Sequence, residues 1–196
     1  MLPVQSILHR SRFLFLVLAW ALFAGCNDHS ATTSNEEIRS EFSRIDYESC
    51  RETIDENDPN DTVIRICPGV LGYSLILRRA SAGRPSIDVR TPATGNFPLD
   101  LDSVVTRSMF ELYPIVEWRV TQVEEELLPL AIIIQVDAHE SEEEPELVTQ
   151  SYIAFGKITT EEICLTDLEI LSEISDSARR AQADSAVERK CLESLR

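Results

Sequence analysis

The chain has 196 residues, with 34 Asp plus Glu against 18 Lys plus Arg, for a formal charge of −16. Acids outnumber bases nearly two to one, which argues against a nucleic-acid partner, because neutralising phosphates requires a basic face. With 43% hydrophobic residues the chain can bury a core and is no disordered acidic tail, and its length suits one domain.

Arg10 and Arg12 lead an unbroken apolar run of 12 residues, from Phe13 to Ala24. A membrane-crossing helix needs about 20 such residues, so the run has the dimensions of a signal-peptide core. The small pair Ala24-Gly25 then precedes Cys26. Leu22-Phe23-Ala24-Gly25-Cys26 resembles the lipobox of bacterial lipoprotein precursors, with Phe23 where that class usually has Leu. The resemblance covers residues 1–26 and implies a diacylglyceryl group on Cys26, cleavage before it and acylation of the new amine. Several acyl chains anchor a protein stably where one is marginal, so the implied partner is a membrane. Asn27 rather than Asp follows the Cys, which favours the outer over the inner membrane of the cell envelope, with the domain in the periplasm or on the cell surface. The expected organisation is a signal peptide over 1–25, lipidated Cys26 and a polar tether over 26–35, and one domain over 36–196.

Within that domain, Ile38, Phe42 and Ile45 stand at helical spacing and predict a short helix over 36–45, capped by Asn35. β-Branched and aromatic runs between turn residues then predict strands near 50–54, 62–67, 73–79, 86–90, 115–121, 129–136 and 147–158. Pro68 to Tyr73 and Ala80 to Ser86 form turns between strands. Pro129 to Val136 is the most continuously apolar run, hence a central strand, while 99–113 is ambiguous. Ser175 caps a C-terminal helix reaching Cys191, whose apolar positions are Ala178, Ala181, Ala186, Val187 and Leu192. The fold class is α+β: a mostly antiparallel sheet of roughly six or seven strands with the C-terminal helix packed on it.

Setting Cys26 aside leaves Cys50, Cys67, Cys164 and Cys191, an even set that reads as two disulfides in an oxidising compartment. Folding 50–67 about Asp58-Pro59 pairs Ile54 with Val63, Glu52 with Arg65 and Cys50 with Cys67, in one coherent register. From Cys164 a strand of seven residues runs out, and the helix returns over roughly 24 Å at about 1.5 Å per residue. The lengths match, so Cys164 can meet Cys191. No two cysteines stand as close as a zinc C-x-x-C pair.

Catalytic chemistry has little to work with. His139 is the only domain histidine, and no G-x-S-x-G, Gly-rich phosphate loop or H-E-x-x-H occurs, so neither catalytic residues nor a cofactor are expected. A hydrolase built on paired carboxylates would leave no motif and stands as an alternative. Two acidic loops, 55–61 and 137–146, make Asp55, Asp58, Asp61, Asp137 and Glu140 candidate Ca²⁺ ligands. The first loop lacks the glycine of an EF-type turn, and Pro59 occupies a would-be ligand position, so solvated connections are the plainer reading. Tyr73 and Trp118 read as core aromatics, and Glu117 with Arg119 as an exposed ion pair. Small, acidic, disulfide-stapled envelope lipoproteins are similar as a class to several bacterial inhibitors of lysozyme, though no motif carries that likeness residue by residue. The expected function is therefore noncatalytic binding or a structural role in the envelope, with a cationic protein as the possible partner.

Overall fold

Every strand pairing among the described residues is antiparallel. The structure, a computed structural model, describes residues 37–55, 62–79, 84–93, 95–123 and 125–194, which belong to the compact unit Asn35–Arg196. Cys26, the signal and tether segments, Asp58, Asp61 and the 80–83 turn lie outside the described residues. The strands in chain order are β1 (Arg39–Arg44), β2 (Arg51–Ile54), β3 (Val63–Pro68), β4 (Ser74–Arg79), β5 (Pro85–Arg90) and β6 (Asn96–Pro98). A single helical turn, α1 (Leu101–Val104), leads to β7 (Met109–Leu112), β8 (Ile115–Val123), β9 (Glu126–His139), β10 (Gln150–Ile158) and β11 (Ile163–Ile170). Helix α2 (Asp176–Asp184) follows.

These strands make two sheets rather than the single sheet expected. One is a meander in the order β2-β3-β4-β5-β6; the other runs β1-β8-β9-β10-β11, with β7 pairing the far half of β9. The main core joins inward residues of both: Leu75, Leu77 and Val89 from the meander with Trp118, Ile132 and Ile134 from the second sheet. The antiparallel β content, the few helices and the two disulfides agree with the sequence reading; the sheet count does not. Alternation along a strand reveals which residues share a face, but not which sheet that face belongs to.

The segment read as a helix over 36–45 is an edge strand, β1. Alternation wins over helical spacing because Ser43 and Ile45 both face inward, and Ser43 Oγ accepts from Trp118 Nε1 at 2.8 Å, leaving Phe42 on the exposed side. The ambiguous stretch 99–113 resolves into α1 and β7. Strand β9 is central, between β8 and β10. Its Pro129 sits where the β8 register shifts and before the stretch that pairs β10, so the missing N–H interrupts no two-sided ladder. In β10, Gly156 is required by close approach: a Cβ there would stand 2.8 Å from Ile132 Cγ2.

Helix α2 lies on the outer face of the second sheet, where Ala183 and Ala186 pack among Ala131, Ile133, Ile153 and Phe155. The expected helix to Cys191 ends early. At Ser185 the backbone leaves helical values, and a 3-10 turn at Ala186–Glu188 gives way to extended chain. That extension lets Cys191 reach Cys164 and Leu192 N–H donate to Leu165 O at 2.8 Å. Among the positions expected to be apolar contacts only Ala186 is buried; Ala178, Ala181, Val187 and Leu192 are exposed.

Candidate functional site

Both disulfides form as paired from the sequence: Cys50 with Cys67 at a Cα separation of 4.2 Å, and Cys164 with Cys191 at 5.7 Å. The β2–β3 register is also the one expected, pairing Ile54 with Val63 and Glu52 with Arg65. Glu162, Cys164 and Cys191 are the only close triad of potential metal-ligating side chains among the described residues, and its two sulfurs are bonded to each other. The three acidic-loop candidates among the described residues are each engaged. Asp55 pairs with Arg78 at 3.2 Å, Asp137 accepts from Ser151 Oγ at 2.6 Å, and Glu140 accepts from Tyr152 Oη at 3.2 Å.

The Glu117–Arg119 pair, expected at the surface, is instead 6% exposed at both residues. Helix α2 covers it. Arg119 grips Asp184 of the helix through Nε at 2.6 Å and Nη2 at 3.0 Å, while Glu117 accepts from Arg180 Nε at 2.8 Å and from Ser40 Oγ at 2.5 Å. Arg78 likewise gathers Asp55 and Asp88. Asp55 with Asp88, and Glu117 with Asp184, thus gather around arginines, an arrangement that holds elements together rather than one that shares a proton.

The most apolar cavity lies elsewhere, where four hairpin turns meet at one end of the two sheets. It encloses about 410 Å³. The β3–β4 turn contributes Leu71 and Tyr73, the β5–β6 loop Pro92 and Ala93, the β8–β9 hairpin Leu127 and Leu128, and the β10–β11 hairpin Thr159 and Thr160. Phe97, Pro129 and Thr91 complete a described lining without one charged side chain. Burial pushes the Tyr73 phenol above its ordinary pKa, so the cup stays neutral there through physiological pH. Four exposed glutamates stand in the same hairpins: Glu125 and Glu126 before Leu127, and Glu161 and Glu162 after Thr160.

No family model, no curated protein and no solved structure matches this chain. The cup therefore has to be interpreted from its own geometry.

Leu71 is its most telling residue. Tyr73 N–H donates to Val70 O at 2.8 Å across Leu71 and Gly72, whose φ values are 52° and 83°, the two positive φ angles of a type I′ hairpin turn. Gly accepts such a φ freely, whereas a leucine there costs about 1–2 kcal/mol. The protein keeps a leucine in that position and leaves it 43% exposed at the mouth of the cup. Strain retained at an exposed apolar tip points to use. Trp118 is core as expected, fully buried, whereas Tyr73 is shared: its ring meets Trp118 edge-on at 6.2 Å while its other side lines the cup. The sequence signal for this site was an apolar residue standing in a turn position, Leu71, where polar residues are usual.

Proposed function

We propose that this chain is a lipid-anchored cell-envelope protein that binds a cationic protein partner, seating an apolar side chain of that partner in the cup. The reading is noncatalytic. Its anchor rests on the lipobox-like residues Leu22 to Cys26, and its binding role rests chiefly on the uncharged cup formed where four hairpins meet, two of which also carry exposed glutamates. Buried aromatic or aliphatic anchors supply most of the energy at protein interfaces, while charge at the rim mainly raises the on-rate and selects the partner. A basic envelope hydrolase such as lysozyme is a partner of the required charge, and inhibition of it is the specialised form of this reading. The carboxylate-hydrolase alternative draws less support, since the closely placed carboxylates are held by Arg78 and Arg119.

The binding half is tested with immobilised lysine-rich peptides that differ in one central residue. A tryptophan-centred peptide should retain the disulfide-intact protein at low salt and release it at high salt; its alanine twin should retain it poorly. Equal retention by both peptides would reduce the interaction to bulk charge and remove the cup from the account. The anchor half is tested by palmitate labelling, which Cys26→Ala should abolish.

A further inference from the structure

At the end of the sheets opposite the cup, one half-buried cation has no partner among the described residues. Among the described residues the other buried or half-buried basic side chains are engaged: Arg78, Arg119, Lys157, Arg179 and Arg180 by carboxylates, Arg84 and Arg90 by amide oxygens. Arg65 is half-buried, and among the described residues its side chain makes no hydrogen bond or ion pair. The register sets it beside Glu52 of β2 and Leu77 of β4, yet the ion pair expected with Glu52 does not close. Scarcity of acids is no explanation in a chain with 34 of them.

Two cavities, of about 320 and 350 Å³, share Arg65 and Leu77 in their linings. The first is walled on its apolar side by Ile45, Phe110 and Leu112. Its Asp46 accepts hydrogen bonds from Ser49 and Arg44, which hold that carboxyl below its usual pKa, so it is ionised and bonded to Arg44 rather than to Arg65. A guanidinium is always charged, and its planar fork fits a carboxylate or phosphate through two parallel hydrogen bonds. Exposed Glu111 lines the same cavity and Glu52 the neighbouring one, and these repel a ligand carrying two negative charges. What remains is an anion of single charge with an apolar body.

We infer that the mouth between β3, β4 and β7 is a second binding site, taking a small organic monocarboxylate whose head group pairs with Arg65 and whose apolar tail lies along Leu77, Ile45 and Phe110. This site is independent of the cup and stands whether or not the cup binds a protein.

Calorimetric titration of the disulfide-intact protein with decanoate, decanol and inorganic phosphate tests it. Decanoate should bind, and decanol should bind at least about tenfold more weakly, the loss of a charge-assisted pair. Arg65→Gln should weaken decanoate by a similar factor and leave decanol unchanged. Binding of decanoate that is unaffected by Arg65→Gln, or no binding at all, overturns the proposal, as does phosphate binding at Arg65 in preference to decanoate. Should Arg65→Gln fail to fold, the wild-type protein still decides. The Arg65 Nε–H resonance should shift on adding decanoate and not on adding decanol, and an unmoved resonance counts against the site.

Discussion

Arg119 carries more of the architecture than its place on a surface-like E-W-R triplet suggests. Its side chain is 7% exposed and bonds Asp184 of α2 in bidentate fashion, while Glu117 beside it binds Arg180. Removing one partner from a buried pair leaves the other charged group without compensation, which is far worse than never having built the pair. Arg119→Met should therefore lower the unfolding free energy by about 3 kcal/mol or more, read as a shift in the urea midpoint. The double replacement Arg119→Met with Asp184→Leu should recover part of the loss. A shift within about 0.5 kcal/mol for the single variant would mean that the pair behaves as the solvated surface bridge its sequence suggests. Nothing local in the sequence distinguishes these cases. The triplet alternates properly for a strand, but the cover over Glu117 and Arg119 comes from a helix some 60 positions away.

Among the elements, what was legible depended on how local the deciding contact was. The β2–β3 hairpin could be read down to its register because turn, apolar pair and cysteine pair lie within one short segment. The Cys164–Cys191 bridge was recovered from matched lengths, even though the chain completes its return as extended backbone rather than as helix. Strand β1 was misread because its pairing partner, β8, is remote in sequence; Ser43 faces the core only by virtue of Trp118 Nε1. Two sheets rather than one follow from the same kind of long-range choice. Helix α2 shows the limit from another side. An alanine-rich helix predicts close approach, but the docked face is fixed by Ala183 and Ala186 against Ile133 and Phe155, a choice made by the sheet. Overpacking that contact with Ala183→Leu should destabilise by about 1–3 kcal/mol, whereas Ala181→Leu on the exposed side should stay within about 0.5 kcal/mol. Thermal unfolding of the two variants with disulfides intact checks the difference, and equal shifts would mean that α2 docks by another face.

For the whole molecule, the acidic balance and the cup belong to one argument. Removing residues 1–25 would take away Arg10 and Arg12 and no acid, leaving 34 acids against 16 bases and a charge of −18. Such a charge repels anionic membrane surfaces and attracts basic proteins, steering them on approach at low ionic strength. The two ends of the sheets then differ in kind: one presents an uncharged cup in the same hairpins as four glutamates, the other a mouth lined by Arg65. Neither was visible beforehand, because each is assembled from turns or strands distant in sequence. Leu71 ties this scale back to a single residue, since its positive φ is tolerated at the cup's lip.

Binding of the tryptophan-centred lysine peptide to Leu71→Gly, measured alongside its unfolding free energy, is the most direct test of the cup. Relief of the left-handed backbone should leave stability unchanged or raise it by about 1 kcal/mol, while loss of the apolar lip weakens the peptide several-fold. A variant that binds the peptide as tightly as the wild type would contradict the cup as the binding surface.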